Sequence, residues 1–265
     1  MHAFQYHRPA SLKDVMAAAA KASDGKILAG GQSLVQAMKL RLASPSDLID
    51  LGGVKELTGI KVEGNSVTIG AMTRHAEVEN SPEVKKLIPA LAALAGGIGD
   101  RQVRHMGTIG GSLANSDPAA CYPSAVMALN ATIVTDKRKI AADDFFKGLY
   151  ETALEPGELI TAVTFPAPKR AAYIKFKNPA SRFALVGVFV AETAGGVRLA
   201  VTGAASCVFR VPEMEKALTA KFAPESIASV KVSAADLNSD LHASADYRAH
   251  LVTVIAKRAV QAAIG

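Results

Sequence analysis

Lys26-Ile27-Leu28-Ala29-Gly30-Gly31-Gln32-Ser33-Leu34 is the stretch on which the fold turns. Lys26 to Ala29 has the length and composition of a short strand, and it runs straight into a glycine pair. A helical pattern then runs from Leu34 to Leu42, and Pro45 stops it. Leu48-Ile49-Asp50-Leu51 follows as another strand, so residues 1–51 contain a strand–glycine turn–helix–strand unit. Upstream, Ser11 can cap a helix that reaches Lys21 and places Leu12, Val15, Met16 and Ala19 on one face.

Downstream, Ser66 to Ala71 alternates like a strand, and Glu83 to Ala95 is apolar at helical spacing up to Gly96-Gly97. The segment from Gly99 to Pro118 is rich in small residues and reads as irregular. A short helix is expected over Pro123 to Leu129, and strands over Ala131 to Val134 and Glu158 to Phe165. Pro166-Ala167-Pro168 has the look of a boundary. Beyond it, Tyr173 to Phe176, Ala184 to Glu192 and Val197 to Gly203 read as strands, the last two joined by a hairpin at Ala194-Gly195-Gly196. Helices are expected over Pro212 to Thr219 and Asp246 to Ala263. The pattern predicts an α+β protein with a larger N-terminal part and a smaller C-terminal domain.

Composition narrows the function. Apolar residues make up 49% of the 265-residue chain and charged residues 20%, ordinary values for a globular protein. The longest apolar run, Phe183 to Ala191, has strand length and cannot span a membrane. The N-terminus lacks the pattern of a secretory signal, so a cytoplasmic protein is expected. The two cysteines, Cys121 and Cys207, and six scattered histidines form no metal-ligand spacing. The net charge of +6 is spread out, and its densest run, Lys137-Arg138-Lys139, falls in an expected hairpin turn. With no Trp and only 5% aromatics there is little to stack on bases, so nucleic acid is not the expected partner. A positive surface facing an anionic cofactor or an acidic partner fits better.

The first glycine turn has an echo. Ala29-Gly30-Gly31-Gln32-Ser33-Leu34 is matched by Ile109-Gly110-Gly111-Ser112-Leu113. Paired glycines let successive N–H groups turn toward one point, a serine adds a hydroxyl donor, and a helix start favours an anion. Two such segments in one chain point to two walls around one long anion, such as a dinucleotide pyrophosphate. Neither is GxGxxG and there is no GxxxxGK[ST], which argues against a Rossmann domain and a P-loop ATPase.

AGGQSLVQAMKLRLASPSDLIDL (29–51), GTIGGSLANSDPAACYPSAVMAL (107–129) and YIKFKNPASRFALVGVFVA (173–191) resemble the flavoprotein subunit of the xanthine dehydrogenase family. In type it looks like the medium subunit of aerobic carbon monoxide dehydrogenase, and the resemblance spans nearly the whole chain. It implies a two-lobed FAD-binding domain of the vanillyl-alcohol-oxidase type over residues 1–166, with lobe 1 at roughly 1–55 and lobe 2 at roughly 56–166. A small α+β C-terminal domain over 167–265 is implied to follow.

The same resemblance implies roles. Ala29, Gly30, Gly31, Gln32 and Ser33, with Thr108, Ile109, Gly110, Gly111 and Ser112, are implied to hold the FAD pyrophosphate, largely through main-chain N–H groups. Asn115 and Asp117 either bond FAD hydroxyls or form the turn. Thr73, Ile98 and Ile160 match positions near the flavin, the two isoleucines being equally readable as core. Lys175, or Lys177 if the alignment slips, matches a cation near the flavin ring. One departure stands out: the family pattern DPAADxP becomes Asp117-Pro118-Ala119-Ala120-Cys121-Tyr122-Pro123, and a thiol is a poor acceptor in place of an acid.

The resemblance further implies that substrate is oxidised at a molybdopterin centre in a large subunit. Electrons then cross two [2Fe–2S] clusters of a small subunit, reach FAD here, and leave to a quinone or NAD. The chain has no four-cysteine cluster motif, so those centres belong to partner chains. No side chain here need act as acid or base. Two other readings remain open at this point: a self-sufficient flavin-dependent reductase of the same fold, and a degenerate scaffold that has lost FAD.

Overall fold

The computed structural model describes all residues, Met1–Gly265. The chain opens with β1 (Gln5–His7), α1 (Leu12–Lys21), β2 (Gly25–Leu28), α2 (Leu34–Lys39) and β3 (Asp47–Asp50). The strands form a parallel sheet in the order β1-β3-β2, so the β2–α2–β3 unit read from the sequence is present. Ser11 caps α1 by accepting the Asp14 N–H, and α1 buries Val15 against Ile49, Leu51, Val54 and Leu57. β1 has only three residues and no pattern of its own; parallel pairing with β3 and a 2.7 Å contact from His7 to Asp47 hold it in place.

β4 (Ile60–Glu63) and β5 (Ser66–Gly70) then form a hairpin. The helices α3 (His75–Asn80), α4 (Pro82–Leu87), α5 (Pro89–Gly96), α6 (Arg101–Met106), α7 (Ile109–Asn115) and α8 (Tyr122–Ala128) follow. Two expectations need correction. The single helix over Glu83 to Ala95 is two helices, because Pro89 cannot donate to the preceding turn and Ile88 takes an extended φ of −140°. The segment 99–118, expected to be irregular, contains α6 and α7.

β6 (Thr132–Thr135), β7 (Lys139–Ala141), α9 (Ala142–Phe145), β8 (Phe146–Gly148), β9 (Glu151–Thr152) and β10 (Ile160–Pro166) complete this part. An antiparallel sheet forms in the order β4-β5-β10-β6-β7, and it packs with α5, α7 and α8 in the largest core. Arg138 lies in the β6–β7 hairpin and forms a bidentate pair with the fully buried carboxylate of Glu158, which also accepts from Thr135 Oγ1 and the Glu155 N–H. These bonds, the Arg138 pair first, pull the Glu158 carboxyl down to about 2. A carboxyl lowered in the folded state stabilises fully above its ordinary range and loses that effect as pH falls toward the folded value. Glu158→Gln is therefore expected to flatten the loss of stability between about pH 5 and pH 2 in denaturant titrations. An unchanged pH dependence would contradict this.

The remainder is a meander of β11 (Arg170–Lys177), β12 (Ala184–Thr193), β13 (Gly196–Thr202) and β14 (Phe209–Arg210), followed by α10 (Pro212–Ala220) and α11 (Ala245–Ile264). β12 is buried on both faces, which accounts for its unbroken apolar run. Val186, Val188 and Val190 pack with Leu251, Ile255 and Ala259 of α11, while Phe189 and Ala191 join the largest core. One face of this sheet thus closes against the helices that precede it. No helix is long and apolar enough to cross a membrane.

Candidate cofactor-binding site

The two glycine motifs, far apart in sequence, lie against each other. A Cβ built on Gly30 would stand 2.1 Å from the Met106 carbonyl oxygen and 2.7 Å from Gly107 Cα, so only glycine permits this approach. One built on Gly111 would stand 3.2 Å from Ala29 Cβ. Gly31 turns the chain into α2 with φ +71°. The main-chain N–H groups of Ala29, Gly30, Gly31, Gln32 and Ser33 donate to no acceptor in the chain, and none of these residues is buried. A run of amides without acceptors around a positive-φ glycine is an arrangement that can receive a diphosphate.

The second motif differs from expectation. It is the first turn of α7, not a loop, with Thr108 as its cap accepting the Gly111 N–H at 3.2 Å. The Ile109 N–H donates to the Thr73 carbonyl (3.1 Å), that of Gly110 to Ala71 (2.8 Å), and that of Ser112 to Thr108 (3.0 Å). Those four amides are therefore already partnered, which corrects the reading of a second row of free N–H groups. What this wall offers instead is side chains. The Ser112 hydroxyl and the Asn115 amide, three positions apart on one helix face and half-buried, have no partner in the chain.

Thr73 is almost fully buried, and its hydroxyl both donates to the Gly59 carbonyl and accepts the Gly59 N–H. Together with its carbonyl bond to Ile109, this makes it a support for the second wall. Thr73→Val is expected to destabilise the protein by about 1–3 kcal/mol, since the Gly59 N–H loses its acceptor while the Gly59 carbonyl keeps only the Gly70 N–H. Loss of cofactor with unchanged thermal stability would show that the hydroxyl touches the flavin after all. Ile160 is a core residue at the start of β10, and Ile98 is half-buried against the same core. Asp117 Oδ1 accepts the Ala119 N–H at 2.8 Å, which is the turn-forming alternative.

The Asp117–Cys121 turn is clamped from β13: the Gly203 N–H donates to the Pro118 carbonyl at 2.7 Å, and the Thr202 hydroxyl lies 2.7 and 2.6 Å from the Pro118 and Ala120 carbonyls. Beyond it, Lys175 Nζ donates to the Gly97 carbonyl at 2.8 Å and lies 3.4 Å from Cys121 Sγ. Lys177 is exposed and makes no hydrogen bond to Cys121, so Lys175 is the one that reaches it. His75, with its ring 5.3 Å from that of Tyr122, is pushed down to about 4 by burial and by Arg104, so it is neutral. The Tyr173 hydroxyl is buried without a partner, and burial followed by proximity to Cys121 raises its pKa, keeping it a neutral phenol. Sequence reading missed Met106, Gly107, Gly97 and Thr202, because each acts through the main chain or across a long sequence separation.

The family model for the FAD binding domain in molybdopterin dehydrogenase matches residues 2–168, more than half of the chain. The chain belongs to the FAD-binding medium subunits of the molybdenum hydroxylases. The nicotine 6-hydroxylase medium subunit of Paenarthrobacter nicotinovorans is 40% identical, over 97% of this chain and 96% of that protein. The carbon monoxide dehydrogenase medium chain of Hydrogenophaga pseudoflava is 36% identical over 98% and 96%. A solved carbon monoxide dehydrogenase from that organism, lacking the Mo-pyranopterin moiety of its cofactor, superposes with a TM-score of 0.89 at 36% identity, covering 99% of this chain and 98% of its counterpart. This medium subunit is thus part of an oxidoreductase. Its free amides at 29–33 and the opposed face of α7 suit an FAD diphosphate.

Proposed function

We propose that this chain holds FAD between the 29–33 turn and α7 and serves as the electron-transferring subunit of a molybdenum hydroxylase complex. The observation that carries this reading is the run of five main-chain N–H groups without acceptors, set directly against the second motif. FAD, once bound, takes up electrons singly and passes them on in pairs. The chain's own task is positional. Ala29 to Ser33 supply donors, Thr108 and Ser112 add hydroxyls, and Asn115 and the Asp117 turn carry the cleft on toward Ile98 and Lys175. Residues 1–166 form the two-lobed FAD domain in this reading and 167–265 the C-terminal domain, which clamps the cleft through Thr202 and Gly203.

Two cysteines cannot ligate an iron–sulfur cluster. The electrons therefore come from [2Fe–2S] clusters on a small partner subunit, which draw on a molybdopterin centre in a large one, and they leave to an external acceptor. Both cysteines are free, in keeping with a cytoplasmic complex. The test is flavin content. The purified full chain, reconstituted with FAD and desalted, should show flavin absorbance at one FAD per chain. A chain that stays colourless after reconstitution overturns the reading and favours the scaffold.

A further inference from the structure

Among the Lys and Arg side chains that are not exposed, Arg104, Arg198, Arg210 and Arg248 each pair with a carboxylate: Glu79, Asp143, Glu215 and Asp240. Lys175 is the exception. No carboxylate lies within 4.0 Å of its ammonium, whose contacts are the Gly97 carbonyl and the Cys121 sulfur. The third polar group beside Cys121, the Tyr173 phenol, is neutral and has no partner of its own. Glu79, on α3, is held by Arg104 at 2.8 Å. A half-buried ammonium without an ion-pair partner keeps more of its field for charge that develops near it, because no carboxylate in contact cancels it.

We propose that Cys121 is a tuning residue: it occupies the position from which a carboxylate would form an ion pair with Lys175, leaves the ammonium without one, and so raises the midpoint potential of the flavin bound beside it. This rests on FAD occupying the cleft as proposed above. A carboxylate at the same position would lie within ion-pair reach of Lys175 and cancel much of its field. Flavin gains negative charge on reduction, so the cation favours the reduced form and its cancellation favours the oxidised one.

The experiment is a dye-referenced redox titration of the FAD-loaded full chain and its variants. Cys121→Asp and Lys175→Gln should each lower the midpoint by at least a tenfold change in the reduced-to-oxidised ratio, which is about 30 mV for a two-electron couple. Lys175→Arg keeps the charge and should stay within that margin of the wild type. If Cys121→Asp does not retain FAD, Lys175→Gln decides alone. FAD-loaded Cys121→Asp and Lys175→Gln with wild-type midpoints overturn the inference and leave the cofactor assignment standing. A wild-type chain that takes up no FAD overturns both.

Discussion

Gly30→Ala is expected to weaken FAD binding by at least about 100-fold. The added Cβ would sit 2.1 Å from the Met106 carbonyl oxygen, a main-chain atom that no rotamer change can remove. The 29–33 turn and the start of the second motif must therefore part, and the amides that converge between them lose alignment. Hydrogen bonds to a charged group contribute about 1.5–3 kcal/mol each, so misaligning two costs about 3 kcal/mol or more, beyond a factor of 100 in affinity. The overpacking itself costs about 1–3 kcal/mol of stability, which a domain of this size tolerates. Gly195→Ala is the control: it lies in an exposed hairpin with no heavy atom nearer than Thr193 Oγ1 at 3.9 Å, and should leave FAD affinity unchanged. Calorimetric titration with FAD reads both. Equal affinities for the two variants would remove Gly30 from the site. Gly31→Val is not an equivalent test, because φ +71° strains any β-branched residue whether or not FAD is present.

Arg248→Ala should lower stability by about 3 kcal/mol, a fall in melting temperature of roughly 6–12 °C for a chain of this length. Arg248 is 3% exposed; its Nη1 donates to the Leu185 and Gly203 carbonyls at 2.8 and 2.9 Å, and Nη2 to Asp240 at 2.8 Å. Asp240 is half open to water and rehydrates readily, so the cost falls mainly on the two abandoned carbonyls and on lost packing of the side chain. Gly203 also donates to Pro118, so loosening it slackens the turn that leads to Cys121. FAD affinity should fall along with stability, by less than in Gly30→Ala. A change under 1 kcal/mol by thermal unfolding of the cofactor-free chain would show that water replaces the guanidinium.

The first wall of the cleft was legible because its signals are local. A short strand, a glycine pair and a helix start occur in nine consecutive residues, and β2, the turn and α2 follow in that order. The second wall was not, although its motif is nearly the same. Ile109-Gly110-Gly111 reads as a turn by propensity, yet burial of Ile109 and Leu113 and the bonds to Ala71 and Thr73 hold it as a helix. Tertiary contacts overrode local preference, and they also used the amides that the motif displayed. β1 and β4 escaped notice because short, largely polar strands owe their state to pairing partners elsewhere in the chain. The link between Cys121 and Lys175 spans 54 positions and depends on β11 returning beside the end of α5, which no periodicity announces.

Amide hydrogen exchange across residues 29–33, with and without FAD, tests the account at its centre. These five N–H groups lack acceptors in the chain, so they should exchange rapidly without cofactor and become strongly protected when FAD is bound. The amides of Ile109 and Gly110, already partnered, should change far less. One FAD bound per chain with residues 29–33 still exchanging freely would contradict the account.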